Sequence, residues 1–298
     1  MSTRTRTRLA ALAIAGLAMA AVLPFAPTPA FASANGDDVG ASIIGGTDAT
    51  ETHGAVRLLT YYRDLGMTAR CTGTLVTVRG VTGVATAAHC VSDLTTAEAL
   101  PATDIQIQYG STVLTQLTTV TASRVEVYPT WDWGTGDDPV ADTAVVALPA
   151  GLHLTGIPLG DWAAVGRRVK LLGWGKTTID ATEPPAVLQQ LSSRITTPDA
   201  CATAPAITAG EICVDQAPDG GAACFGDSGG GAESRRGNQW VLLGSASRQT
   251  TEDCTGPTVY TDATYYSQWI GQVLTNNQPH HLRHVATGAA DRFMSLVR

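Results

Sequence analysis

Short apolar runs alternate with turn residues along most of the chain, from residue 43 to about residue 262. The runs are rich in Val, Ile, Leu and Thr and are bounded mainly by Gly, Pro, Asn or Asp, a pattern typical of β-strands. Repeated short strands favour a barrel or a sandwich, so we predict an all-β protein. The predicted strands cover residues 55–62, 71–78, 81–86, 105–109, 124–127, 143–148, 168–173, 240–246 and 257–261.

A single segment near the end, residues 264–274, predicts a helix. Its apolar residues recur at intervals near three and four, which places them on one helical face: Tyr265, Trp269, Ile270 and Val273. Residues 277–298 form a polar tail that contains histidines but no cysteine. We interpret this tail as a solvated or lightly docked extension rather than a metal-binding or targeting segment.

The N-terminus has the parts of a secretory signal peptide. Three arginines precede an apolar run over residues 9–22, and small residues at Ala32-Ser33-Ala34 offer a cleavage site. The apolar run is shorter than the ~20 residues that span a bilayer, and prolines end it. We therefore predict a signal peptide over residues 1–34, a short propeptide over 35–42, and a secreted, extracellular protein with no membrane contact once the signal is removed.

The exported chain is acidic. The formal net charge is −7, and loss of three arginines with residues 1–34 makes it −10. This charge repels nucleic acid and anionic lipid, so we expect neither as a partner. The sequence contains no phosphate loop, no cofactor fingerprint and no metal-ligand spacing, so we predict no cofactor and no metal.

Six cysteines in an exported chain predict three disulfides, because disulfides form and persist outside the cell. The number of cysteines alone leaves 15 possible pairings. The cysteines are Cys71, Cys90, Cys201, Cys213, Cys224 and Cys254.

Ser228 is a candidate nucleophile because it lies in Gly226-Asp227-Ser228-Gly229-Gly230. Small neighbours allow a tight turn, a close approach by substrate, and two backbone N–H groups aimed at an oxyanion. The same string fits the nucleophile elbow of α/β-hydrolases, and acids and histidines do follow it in the chain. That fold needs strands alternating with helices, however, and the strand-rich pattern argues against it.

His89 lies in a second motif, Thr86-Ala87-Ala88-His89-Cys90, which follows a predicted strand. Two further motifs are Ile43-Ile44-Gly45-Gly46 and Asp142 at the start of the apolar run 142–148. Together with the His89 and Ser228 motifs they make four, and their order along the chain resembles that of the trypsin/chymotrypsin-like serine proteases. Weaker similarities, including Gly173-Trp174-Gly175, extend the resemblance over residues 43–276.

The resemblance implies a fold of two six-stranded antiparallel β-barrels followed by a C-terminal helix. The N-terminal barrel would cover about residues 43–155 and the C-terminal barrel about 156–276. His89 would be the general base and acid, Ser228 the nucleophile, and Asp142 the group that orients His89. Asp137 and Asp138 are nearby alternatives, but only Asp142 directly opens an apolar strand. The backbone N–H groups of Gly226 and Ser228 would form the oxyanion hole.

The resemblance also implies the disulfides Cys71–Cys90, Cys201–Cys213 and Cys224–Cys254. It further implies a zymogen, in which cleavage before Ile43 frees an amino terminus that pairs with Asp227. Ser42 differs from the Arg or Lys that precedes this bond in many family zymogens. The activating protease therefore stays unidentified.

The specificity pocket departs from the trypsin pattern. Its base position is Ala222, so no carboxylate is available for Arg or Lys; the wall positions are Ser247, Arg248, Gln249 and Thr258. We expect a narrow, partly apolar pocket and cleavage after small or medium uncharged residues. Arg248 either attracts an acidic residue at a neighbouring subsite or points to water.

We predict a monomeric serine endopeptidase that acts on protein or peptide substrates. Two alternatives stay open. The first is a protease-like fold kept as a binding module with little or no turnover, and the second is a serine esterase built on another hydrolase fold.

Overall fold

A computed structural model describes residues 43–135, 140–202 and 206–275. The predicted signal peptide, propeptide and C-terminal tail lie outside the described residues. The strands are β1 (Thr47–Asp48), β2 (Ala55–Tyr62), β3 (Met67–Val78), β4 (Val81–Thr86), β5 (Ile105–Tyr109), β6 (Thr118–Thr121), β7 (Arg124–Val127), β8 (Ala144–Ala147), β9 (Arg168–Gly173), β10 (Gln189–Thr196), β11 (Glu211–Val214), β12 (Gly231–Arg236), β13 (Gln239–Gln249) and β14 (Thr258–Asp262). The α-helix α1 covers Ser267–Thr275.

The first sheet is antiparallel and has the order β6-β5-β2-β3-β4-β8-β7. Its two edge strands, β6 and β7, are consecutive in the chain and are joined only by Ala122 and Ser123. The Ala122 N–H donates to Ile105 O at 2.9 Å, and the Ser123 N–H donates to Ala147 O at 3.0 Å. Counted as one bent strand, β6 and β7 make this a six-stranded barrel that closes through the bend.

The second sheet has the order β1-β10-β11-β14-β13-β12-β9, and β9 also pairs with β10. This last pairing closes six antiparallel strands into a ring, with the two-residue β1 attached to β10. The all-β, chymotrypsin-like fold that the sequence predicts is therefore confirmed. Because the sheets are antiparallel, the α/β-hydrolase alternative is excluded.

Each barrel has its own apolar interior. The first is filled by Leu58, Val84, Ile105, Ile107 and Val146, among others. The second is filled by residues that include Leu171, Ile195, Val241, Leu243 and Tyr260.

Five strands were not predicted: β1, β6, β10, β11 and β12. β10 reads Gln-Gln-Leu-Ser-Ser-Arg-Ile-Thr, and its inward positions include Gln189 and Ser193 as well as Leu191 and Ile195. β12 reads Gly-Ala-Glu-Ser-Arg-Arg and buries Glu233. Polar side chains at buried positions hide the alternation on which strand prediction depends.

Helix α1 begins at Ser267, three residues after the predicted start. The delay has a local cause, because the Asp262 carboxylate accepts hydrogen bonds from Thr264 N and Thr264 Oγ1 and so holds a turn there. The apolar face of the helix packs against the first sheet, on Val76, Ala85 and Val145. Among the described residues, no helix is long and apolar enough to span a membrane.

Candidate active site

His89 lies directly after β4, in a single 3-10 turn over Ala88–Cys90. The turn is held on both sides. Ser92 Oγ donates to Ala88 O at 2.7 Å, and the Cys71–Cys90 disulfide joins the turn to β3. His89 is therefore a partly exposed side chain, 23% accessible, on an anchored loop.

Asp142 lies two residues before β8, and its side chain is 3% exposed. Its carboxylate accepts three hydrogen bonds: Oδ2 lies 2.8 Å from His89 Nδ1, Oδ1 accepts the His89 backbone N–H at 2.9 Å, and Oδ2 accepts Ser247 Oγ at 2.7 Å. Ala141 precedes it with φ of 47°, a left-handed conformation that is costly for alanine. The fold thus holds the carboxylate rigidly against the imidazole.

The pKa shifts of this pair follow from the contacts. Burial lowers the pKa of His89, but the attraction of Asp142 and its hydrogen bond outweigh burial, so the pKa is raised above 6.5. Burial raises the pKa of Asp142, but His89 and the hydrogen bonds from Ser247 and the His89 backbone outweigh it, so the pKa is lowered. The pair therefore favours an ionised Asp142 and stabilises a protonated His89.

Ser228 lies on the loop before β12 and faces the His89 turn. Its carbonyl accepts the Thr72 N–H at 2.8 Å and lies 3.6 Å from Cys90 Sγ, which is itself 3.7 Å from His89 Nε2. Gly229 explains the close approach, because a Cβ at this position would lie 2.0 Å from Thr86 Oγ1. A larger residue would push the serine loop away from the histidine loop.

Among the described residues, which include both Ser228 and His89, no hydrogen bond joins Ser228 Oγ to His89 Nε2. Such bonds are often long without substrate. Within the same described part of the chain, the backbone N–H groups of Gly226 and Ser228 donate no hydrogen bond either. These two N–H donors, on either side of Asp227, are thus left available on the serine loop.

Asp227 is buried beneath that loop, 2% exposed. Its carboxylate accepts the N–H groups of Gly175 at 2.8 Å and Cys224 at 2.9 Å. A Cβ at Gly173 would lie 2.0 Å from its Oδ1, and one at Gly175 would lie 2.3 Å from its Cγ. The Gly-Trp-Gly motif is therefore explained by the space that this carboxylate occupies.

Asp227 forms no ion pair with any described residue, and burial raises its pKa to about 7, even though the two backbone hydrogen bonds act in the opposite direction. Ile43, the predicted partner after cleavage, is fully buried in the interior of the second barrel. The next residue, Ile44, accepts the Ala222 N–H at 2.9 Å. Asp227 is thus a buried carboxyl without a cationic partner among the residues that the structure describes.

The six cysteines form Cys71–Cys90, Cys201–Cys213 and Cys224–Cys254, the same pairs that the resemblance implies. The sulfurs of Cys71 and Cys90 lie with His89 in a group of potential metal donors. Because these two sulfurs are bonded to each other, they are not thiolate ligands.

The predicted pocket residues lie on two paired strands and the loop before Ser228. Gln249 on β13 and Thr258 on β14 are direct partners in register, and Ala222 is buried at 2%. The Ser247 hydroxyl donates a hydrogen bond to Asp142 Oδ2 at 2.7 Å, so this strand also contacts the carboxylate beside His89.

Arg248 pairs with a carboxylate of the protein rather than pointing to water. Its guanidinium pairs with Glu211, whose side chain is fully buried, and Nη2 lies 3.2 Å from Oε2. Glu211 also accepts Thr208 N at 2.7 Å and Thr208 Oγ1 at 2.8 Å. The arginine is therefore fixed within the wall of β11 and β13.

Sequence reasoning missed several supporting residues. Thr72 Oγ1 donates to Gly226 O at 3.0 Å, Thr261 Oγ1 donates to Asp142 O at 2.8 Å, and Glu211 holds Arg248. The two threonines lie within strands, where threonine is common, so no local signal distinguishes them. Asp137 and Asp138 lie outside the described residues.

The chain is similar in sequence to known proteins named trypsin. A protein named trypsin from Xenopus laevis is 32% identical over 136 residues, which cover 44% of this chain and 53% of the relative. Another from Sus scrofa is 27% identical over 165 residues, which cover 53% of this chain and 69% of the relative. The chain thus spans about half the length of the frog protein and somewhat more of the pig protein.

A family profile, described as Trypsin, matches residues 43–270. The match covers well over half of the chain and includes all four motifs, both barrels and the site built around His89, Asp142 and the Ser228 loop. This protein therefore belongs to the trypsin family.

Proposed function

We propose that the protein is a secreted serine endopeptidase that cleaves peptide bonds through an acyl-enzyme. Ser228 Oγ attacks the scissile carbonyl, His89 takes its proton and later gives it to the leaving amine, and Asp142 holds the imidazole. The N–H groups of Gly226 and Ser228 stabilise the oxyanion. Water then attacks the acyl-enzyme, with His89 again as the base.

One observation carries the proposal: neighbouring residues of β3 anchor both halves of the site. Cys71 is bonded to Cys90 beside His89, and Thr72 binds the serine loop at Ser228 O and Gly226 O. The histidine that is paired with a buried carboxylate and the serine loop with two available N–H groups therefore face each other. An ordinary surface turn that contains a serine does not require such a disulfide and pair of hydrogen bonds to hold it against a histidine.

Activation is proposed to act through Asp227. Cleavage before Ile43 would create an ammonium group, and Asp227 is the buried carboxyl that lacks a cation. Pairing of the two would fix the loop that carries the N–H groups of Gly226 and Ser228. The activating protease must accept Ser42 before the cleaved bond. Amino-terminal sequencing of active, secreted protein should show that it begins at Ile43 rather than at Asn35.

The proposed specificity is for small or medium uncharged residues. Ala222 offers no carboxylate at the base, and the directly opposed Gln249 and Thr258 place side chains where the trypsin pattern has glycines. Arg248 is already neutralised by Glu211, so it gives no reason to expect an acidic substrate residue. Peptide-library cleavage would test this preference.

The inactive binding module remains the second candidate, because the altered pocket walls favour it. Labelling with a fluorophosphonate probe separates the two, since only an activated serine reacts. We expect labelled secreted protein to carry the tag on Ser228 by mass spectrometry, with the label lost in Ser228→Ala.

The exposed Ser192, replaced by alanine, is the matched control and should label normally. Protein that begins at Ile43 and takes no label would contradict the enzyme and support the binding module. Labelling together with ester cleavage but no peptide cleavage would contradict the endopeptidase specifically.

A further inference from the structure

A positively charged groove lies on the outside of the second barrel, formed by β9, β10, β12 and β13. Its volume is about 420 Å³. Among the described residues that line it there are four cations and no carboxylate: Arg167, Arg168, Lys170 and Arg235, together with Val169, Ser192, Ser193, Ser234 and Trp240. This lining contrasts with the acidic chain around it.

Three of the cations are held in place by neutral partners. Arg235 lies over the Trp240 ring with its guanidinium carbon 4.2 Å from the centroid. Lys170 Nζ donates to Gln190 Oε1 at 2.8 Å and lies 5.1 Å from the same ring. Arg167 Nε donates to Ser234 Oγ at 3.0 Å. Groups held in this way lose little freedom when a ligand binds.

None of the four cations forms an ion pair with a described carboxylate, whereas Arg63, Arg194, Arg236 and Arg248 each do. The one carboxyl opposite Lys170 in register is Glu233. It is fully buried, and both its oxygens lack a hydrogen-bond partner. Burial raises the pKa of Glu233 well above its usual value, although the charge of Lys170 acts in the opposite direction.

Electrostatic repulsion among the cations of the groove is unfavourable when no anionic ligand is bound. Arg168 and Arg194 are direct partners in register on β9 and β10, but Arg194 is paired with Asp215. The uncompensated repulsion therefore lies between the cations of the groove itself. Arg168 and Lys170 project from the same face of β9, roughly 7 Å apart along the strand. An anion in the groove would relieve this repulsion.

We propose that this groove binds a polyanion that carries sulfate or phosphate esters. A tetrahedral ester exposes three oxygens, so it can accept hydrogen bonds from more than one cation, as the crowding of Arg168, Lys170 and Arg235 requires. A carboxylate has only two oxygens and fits such crowding less well. The groove is separate from the site of Ser228, so the proposal does not rest on catalysis.

Calorimetric titration of the secreted full chain tests the proposal. The probes are a heparin-derived tetrasaccharide for sulfate esters, inositol hexakisphosphate for phosphate esters, and, for each of these, a glutamate oligomer of the same net charge for carboxylates. We expect a sulfated or phosphorylated probe to bind at least about tenfold more tightly than the glutamate oligomer, and more weakly as salt is added. Whichever of the two is tighter identifies the source of the ester.

The variant Arg168→Glu/Lys170→Glu should lower that affinity by at least about tenfold. The control Arg70→Glu/Arg79→Glu changes the net charge equally on the other barrel and should leave affinity nearly unchanged. If binding of the sulfated or phosphorylated probe changes the tryptophan fluorescence of the protein, that change should be lost in Trp240→Phe. Equal loss in both double variants, equal binding of the glutamate oligomer, or no binding of any probe would overturn the proposal.

Discussion

The two buried aspartates of the site, Asp142 and Asp227, are both 2% exposed but have opposite electrostatic surroundings. Asp142 faces the ring of His89 and has a lowered pKa in spite of burial. Asp227 receives two backbone N–H groups and no cation, and burial raises its pKa to about 7. Burial alone does not decide the charge of a carboxyl, since a nearby cation can outweigh the cost of desolvation.

The difference assigns separate tasks to the two halves of the site. The Asp142–His89 pair already has its hydrogen bonds, whereas Asp227 has no cationic partner among the described residues. We infer that activation changes the serine loop and leaves the histidine pair as it is.

Asp142→Asn should nearly abolish activity in protein that begins at Ile43. An amide keeps the shape but favours the wrong tautomer of His89, and the equivalent change in the family's well-known triad lowers kcat by about 10⁴-fold. Initial rates with a peptide substrate, checked against Asp161→Asn on the surface, measure the effect. A loss of less than about tenfold would remove Asp142 from the triad.

Asp227→Asn should lower the activity of the cleaved enzyme by about 10² to 10³-fold, the loss expected when oxyanion donors are misplaced. The asparagine cannot pair with the new ammonium of Ile43, so the loop should stay as in the uncleaved chain. The loss should appear in kcat, with the hydrogen bond between His89 and Asp142 retained in the proton NMR spectrum. Full activity in the variant would contradict activation through Asp227.

The uncleaved chain should become less stable as pH rises from about 4 to about 7. Asp227 has a pKa of about 7 when folded and about 3.9 when unfolded, so the folded state binds the extra proton in this range. Stability is therefore greatest below the unfolded pKa and decreases by up to about 1.4 kcal/mol per pH unit. Urea unfolding of Ser228→Ala protein, which cannot process itself, measures the slope.

Glu233 is also buried with a raised pKa and contributes a slope of the same sign. The additional substitution Asp227→Asn keeps Glu233 and should flatten only the part that belongs to Asp227. Identical slopes in the two proteins would mean that Asp227 is ionised in the folded, uncleaved chain.

Much of the fold was predictable from local pattern. The ranges 55–62, 81–86, 105–109, 124–127 and 168–173 are strands with the predicted bounds, because apolar and β-branched residues occupy their inward positions. β10 and β12 were missed because Gln189, Ser193 and Glu233 are buried there. Their burial is decided by neighbouring strands, which local sequence does not reveal.

The candidate site divides in the same way. His89, Asp142 and Ser228 stand in motifs whose order along the chain identifies the family, so sequence alone was sufficient to select them. The pairing of Arg248 with Glu211 joins positions 37 residues apart, and the hydrogen bond from Ser247 to Asp142 joins positions 105 apart. Such contacts depend on which strands become neighbours.

Local sequence was sufficient to predict the fold class and to choose the candidate residues, because short-range pattern and small residues in tight loops are local properties. Which charges are compensated is evident only once the chain is folded. Among the described residues, Asp142 pairs with His89 and Arg248 pairs with Glu211, whereas Asp227 pairs with no cation and the four cations of the groove pair with no carboxylate. Electrostatic energy depends on distance and burial in space, and these are properties of the packed barrels.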